Sequence, residues 1–192
     1  MIFIGFEERI PSIMNLKKII IGLVIFIFMV FVYLFVYKKN DVYLEVSMIN
    51  FTESIEQGSL VDINLTIYYT SPFMFSSVPV SIEWLREGRY NYKIVIEGYV
   101  LQEYVDLLQQ VDDVKLIPVR NERIEDVRIY YIFENQKSGE TFSVAIWAYR
   151  GSVLVNGVNI AEHSIFYEVI VPFLPESERE VIEKEIQRIN MD

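Results

Sequence analysis

The chain has 192 residues, of which 27 are acidic and 17 basic, for a formal net charge of −10, and it contains no cysteine. The missing thiols exclude disulfides, Cys-ligated zinc, iron–sulfur clusters, a lipoprotein anchor and thiol catalysis. From Asp41 onward 25 acidic residues stand against 12 basic ones, a balance that repels phosphate backbones and argues against a nucleic-acid partner.

Ile19 to Tyr37 is a run of nineteen residues without a charge, bracketed by Lys17-Lys18 and Lys38-Lys39. As a helix it would reach about 28 Å, close to the thickness of a bilayer's hydrocarbon core. The run is longer than a cleaved signal's apolar region and ends without a small-residue cleavage site. It therefore reads as an uncleaved signal anchor, a single-pass transmembrane helix over 19–37 in contact with membrane lipid. A short flank, 1–18, precedes it, and Met14 reads as a natural start. Arg9, Lys17 and Lys18 before the run outnumber Lys38 and Lys39 after it, which places the N-terminus inside and the C-terminal part outside the cell membrane. The sequons Asn50-Phe51-Thr52 and Asn64-Leu65-Thr66 fit an extracytoplasmic location. The run has one glycine, Gly22, and no intramembrane charge, so it reads as a tether rather than a transport path.

The rest alternates in short segments. Val42–Asn50 reads as a strand, and Glu53–Ser59 as a polar link. Leu60–Tyr69 alternates with Val61, Ile63, Leu65, Ile67 and Tyr69 on one face. Val80–Leu85 and Tyr90–Glu97 read as a hairpin around Glu87-Gly88-Arg89, and Val127–Glu134 pairs with Thr141–Tyr149 around Asn135–Gly139. Val153–Val155 and Val158–Ile160 flank Asn156-Gly157, the strongest two-residue hairpin signal in the chain. Ser164–Phe173 closes the strand series. Two segments carry helical stripes. Val100–Val111 has Leu101, Tyr104, Val105, Leu108 and Val111 in register, and Glu176–Met191 has Ile182, Ile186 and Ile189, with Ser177 and Glu180 spaced as a capping box.

These elements predict a mainly β fold: residues 41–175 as a β-sandwich with one inserted helix, and 176–192 as an amphipathic helix on or beside it. The segment Gly139-Glu-Thr-Phe-Ser-Val-Ala-Ile-Trp-Ala-Tyr149 resembles the penultimate strand of fibronectin type III and related immunoglobulin-like modules. Ile82-Glu-Trp84 with Tyr92-Lys-Ile94 is similar to their Trp-strand and Tyr-strand pair. The resemblance implies an immunoglobulin-like sandwich and names no ligand or catalytic residue.

Chemistry is sparse. His163 is the only histidine, too few imidazoles for a zinc or blue-copper centre even with Glu162 and Glu168 beside it. No G-x-S-x-G or phosphate-cradling glycine loop is present. Asp112-Asp113, Glu122/Glu125/Asp126 and Glu83/Glu87 are the carboxylate groupings, with Asp112, Asp113 and Glu122 the best set for a hard cation. The expectation is no catalytic residue, no metal and no cofactor. The candidate partner contacts are Phe73, Met74 and Phe75 in the Ser71–Pro79 loop, and Ile182, Ile186 and Ile189 on the C-terminal helix. Together these predict a non-catalytic, membrane-anchored protein-interaction or assembly module with a protein partner. An anchored carbohydrate-binding or carboxylate-dependent hydrolytic domain is the alternative.

Overall fold

The computed structural model describes residues 21–31, 49–70, 79–88, 91–119, 126–147 and 151–191. It falls into two units, residues 1–46 and 47–192.

In the first unit the described residues are one helix, α1, over residues 21–31. Its eleven residues make about 16 Å, roughly half of what a bilayer core requires. Among the described residues no helix is long and apolar enough to cross a membrane. This overturns the single-pass transmembrane helix, the signal anchor and the cell-membrane localisation expected from the 19–37 run. Nineteen uncharged residues satisfy the composition of a span, but composition does not by itself supply a helix of that length.

The second unit is built on one six-stranded antiparallel sheet, in the order β2-β1-β3-β4-β5-β6. The strands are β1 (Ile63–Tyr69), β2 (Tyr92–Ile96), β3 (Val127–Asn135), β4 (Thr141–Trp147), β5 (Ser152–Val155) and β6 (Val158–Ala161). β3 to β6 form a meander of adjacent hairpins. The tightest turn, β5 to β6, places Asn156 at φ 46° and Gly157 at φ 82°. Two successive left-handed residues of this kind define the hairpin turn that matches strand twist, and Asn-Gly supplies them at the lowest steric cost.

The helices are α2 (Phe51–Glu56), α3 (Ile82–Glu87), α4 (Gly98–Leu101), α5 (Val105–Asp113), α6 (Ile165–Glu168) and α7 (Glu176–Ile189). All but α3 contribute to the main core. There Ile63, Leu65 and Ile67 of β1, Tyr131 and Phe133 of β3, and Phe142 and Val144 of β4 bury against Phe51, Leu101, Leu108, Phe166 and Ile182. Phe51 meets Phe133 edge-on at 4.9 Å and Phe142 at 5.7 Å, a geometry that adds to area burial. The buried Tyr131 hydroxyl donates to the Phe166 carbonyl at 2.9 Å, so its polar end is satisfied. On the opposite face a smaller core of Val80, Leu85, Val127, Tyr130, Ala145 and Trp147 lies around α3.

The immunoglobulin-like sandwich is therefore corrected: the layer packed on the sheet is helical, and no second sheet exists among the described residues. Three local readings produced the error. Val80–Leu85 is the lead-in and first turns of α3, where the Ser81 hydroxyl accepts from the Trp84 amide at 3.2 Å as an N-cap. Ser164–Phe173 is α6 followed by a 3-10 turn at Val171–Phe173. The polar link after Asn50 is α2, capped by the Asn50 side chain accepting from the Glu53 amide at 2.9 Å. A short, mostly buried apolar run such as Ser164–Phe173 has the same composition as helix and as strand, so periodicity cannot separate them. The Val42–Asn50 strand falls largely on residues outside those described. The helix at Val100–Val111 is present as α4 and α5, and the C-terminal one as α7, although α7 follows Pro175 without a side-chain cap.

Candidate functional site

The two edges of the sheet are finished differently. Beside β6 the segment 117–119 continues the pairing. Pro118 bridges Ile160, the Val119 amide donates to the Asn159 carbonyl at 2.9 Å, and the Ala161 amide donates to the Ile117 carbonyl at 2.8 Å. Just beyond β6, the Glu162 carboxylate accepts from the Arg188 guanidinium at 2.6 Å, from the Gly151 amide at 3.2 Å and from the Tyr167 hydroxyl. Arg188 also donates to Glu185 at 2.8 Å. Burial, and then the Glu162 carboxylate, push the Tyr167 hydroxyl well above the ordinary tyrosine range. Hydrogen bonds to Glu162 and Glu185 hold the Arg188 guanidinium more firmly protonated still. This network ties α6 and α7 to the β6 edge.

At the other edge, β2 pairs with β1 alone among the described residues, in the register Tyr92↔Tyr69, Ile94↔Ile67 and Ile96↔Leu65. The strand is held at both ends. At its start the Asn91 amide group donates to the carbonyls of Trp84 and Leu85 at 2.8 and 2.7 Å. At its end the Gly98 amide donates to the Asn64 side chain at 3.3 Å, and a Cβ at Gly98 would sit 2.5 Å from the carbonyl oxygens of Leu60 and Val61. Only glycine lets those backbones approach so closely.

Between these anchors no strand among the described residues pairs with the strand's outward side. Tyr92 is 53% and Val95 54% exposed, and Lys93 is exposed beside them. Tyr92 stacks on Tyr69 at 5.1 Å. Lys93 holds its ammonium 5.5 Å from the centre of the Tyr68 ring, which stacks on Tyr130 at 6.1 Å. Burial raises the Tyr69 and Tyr130 hydroxyls above the usual tyrosine range. A strand held at both ends, paired on one side only among the described residues and lined by aromatic and aliphatic side chains is a template for another strand.

The described residues singled out from sequence lie elsewhere. Phe73, Met74 and Phe75 are outside the described residues, as are Glu122 and Glu125. Ile182 is buried at 6% exposure, and Ile186 and Ile189 are half-buried against the main core. Asp112 accepts from the Thr52 amide and hydroxyl at 2.7 and 2.8 Å, joining α5 to α2. Asp126 is buried, accepting from the Val80 amide at 3.1 Å and from Arg128 at 2.7 Å. Glu83 is solvated at the N-terminus of α3, where its own amide and Ser81 lower its carboxyl. His163 is exposed, accepts from the Ile165 amide at 3.3 Å, and lines a cleft of about 520 Å³ with Gln110, Asp113, Lys115 and Glu168. A polar cleft of about 270 Å³ holds Glu53, Asp62 and Glu140. Each of those carboxylates is engaged locally, with Gln57 at 2.9 Å, Lys137 at 2.8 Å and Ser138 at 2.9 Å respectively, and no aromatic side chain lines that cleft. Among the described residues no three His, Asp or Glu side chains are grouped to hold a metal ion.

The β2 edge was missed from sequence because Tyr90–Glu97 was paired with Val80–Leu85. The available signal was Ser81, whose N-cap chemistry marks a helix there and leaves β2 in need of another partner. Glu162 and Arg188, 26 positions apart, have no sequence signature as a pair. Comparison of the chain with protein-family models, with curated proteins and with solved structures gives no match.

Proposed function

We propose that this protein is a binding or assembly module that acts by protein–protein contact rather than by catalysis, taking an extended segment of its partner along β2. The observation that carries the reading is the contrast between the edges: 117–119 and the Glu162 network close β6, while β2 is anchored at its ends and, among the described residues, has no strand along its outer side. Main-chain hydrogen bonds would supply affinity in such a contact, and alternate side chains of the strand would supply selectivity.

A photoreactive amino acid placed at Val95, and separately at Asn159, tests this in the intact chain. The expected outcome is a discrete protein adduct from position 95 and none from position 159. Adducts at neither position, or equal labelling at both, would count against strand addition at β2.

A further inference from the structure

The same edge has a charge pattern that is complementary to itself. Lys93, Val95 and Glu97 alternate with Ile94 and Ile96 and so share one face of the extended segment. Glu97 continues the extended backbone, at φ −78° and ψ 151°, and is exposed. Read along the strand, this face is positive, apolar, negative.

Resting on the strand-addition reading, we infer that the segment received by β2 is β2 of a second copy, paired antiparallel about a two-fold axis at Val95. In that register Val95 faces Val95 of the second copy, and each Lys93 lies directly opposite Glu97 of the other chain. Each Ile94 lies opposite Ile96 on the other face. The Lys93–Glu97 pair is attractive and is made twice by symmetry, as an isologous contact requires. Shifting the axis by one residue to Ile94 would instead set Lys93 opposite Val95 and Glu97 opposite Asn91, and both charge pairs would be lost. The Val95 register also removes from water the side chain that is 54% exposed in the single chain. Among acidic chains that otherwise repel one another, β2 is a place where close approach is electrostatically favourable. Two short strands bury less than a standard interface of about 1,200–2,000 Å², so the dimer dissociates in the micromolar range or weaker.

The test uses the full chain in a non-denaturing detergent, which keeps the apolar 19–37 run from driving association of its own. The chain has no native cysteine, so Val95→Cys introduces a single thiol that faces itself in the inferred register. Oxidation is expected to give a disulfide dimer, whereas Asn159→Cys on β6 gives none. By sedimentation equilibrium, Lys93→Glu and Glu97→Lys each weaken the dimer by about 10-fold, because each sets like charges opposite one another twice. The double reversal, Lys93→Glu with Glu97→Lys, returns the affinity to within about 3-fold of the original.

Association that ignores both reversals and gives no crosslink at position 95 comes from another surface and overturns the inference. So does a chain that stays monomeric at every concentration, and so does a Lys93 whose reversal leaves the dimer intact because it serves only to blunt the edge. In each of these cases a heterologous adduct from a photoreactive residue at position 95 shows that strand addition stands and only the identity of the partner was wrong. The absence of any such adduct removes both.

Discussion

At the β6 edge, backbone groups that would face water are taken up by 117–119, and a buried carboxylate gathers three donors from the residue before β5, from α6 and from α7. At the β2 edge the sheet, among the described residues, stops at a strand fixed end-on by Asn91 and Gly98, with Tyr92, Lys93 and Val95 in solvent. The first arrangement spends side-chain polarity on stability. The second leaves hydrogen-bonding capacity and apolar surface unspent, which costs the isolated chain little but prepares it for another strand. A strand already held at both ends loses less entropy on binding than a free segment.

Substitutions can break this contrast. The largest effect is expected at the closed edge, where the Glu162 side chain is 8% exposed. Glu162→Ala removes the acceptor of Arg188, Tyr167 and Gly151 together and should lower unfolding free energy by about 3 kcal/mol in urea titrations. A loss below about 0.5 kcal/mol would mean the network is ornamental. Gly98→Ala comes next, at about 2 kcal/mol, because the new methyl meets two backbone oxygens that cannot move as a flexible side chain would. Thermal melts would show the loss. If the melting temperature is unchanged, Gly98 does not pin the end of β2.

Alkali should act on the closed edge through Tyr167. Its hydroxyl keeps its proton in the fold to a higher pH than in the unfolded chain, where tyrosine titrates near pH 10. Its contribution is therefore complete below about pH 10 and is lost as pH rises above that, because only the unfolded chain gives up the proton there. The slope is about 1.4 kcal/mol per pH unit for this tyrosine, with Tyr131, raised by burial on the same sheet face, adding in the same sense. Tyr167→Phe should flatten the alkaline limb of stability measured against pH, and an unaltered limb would sink the assignment.

Smaller effects belong to the open edge. Tyr92→Ala gives up the ring stacked on Tyr69 and should cost about 0.5–1 kcal/mol. Val95→Thr should leave the monomer's stability within about 0.5 kcal/mol. A loss of several kcal/mol at either position would show that the β2 edge carries fold stability, and the distinction between the two edges would disappear.

Much of the sheet was legible before the fold was known. In β1, Ile63, Leu65, Ile67 and Tyr69 fall on the core-facing side as their alternation requires, and Asn156-Gly157 turns β5 into β6. α5 buries Leu108 and Val111 of its stripe, and α7 buries Ile182. The candidate site was not legible. β2 pairs with β1 across more than twenty intervening residues, and nothing local to Tyr92–Ile96 says which strand lies beside it or that no described strand lies on its other side. Glu162 and Arg188 meet only because α7 returns to the β6 edge.

The 19–37 run shows the limit from the other direction. Composition alone supports a membrane span, yet among the described residues the helix there has eleven residues and none is long enough to cross. Sequence by itself determined the elements whose side-chain period is written in consecutive residues: the alternating strands, the long helical stripes and the Asn-Gly turn. Only the tertiary structure decided that helices rather than a second sheet cover the core, and which edge is closed. Those outcomes depend on what distant segments bury against one another. A short apolar run such as Ser164–Phe173 satisfies the same burial as a strand or as α6 until its neighbours are in place.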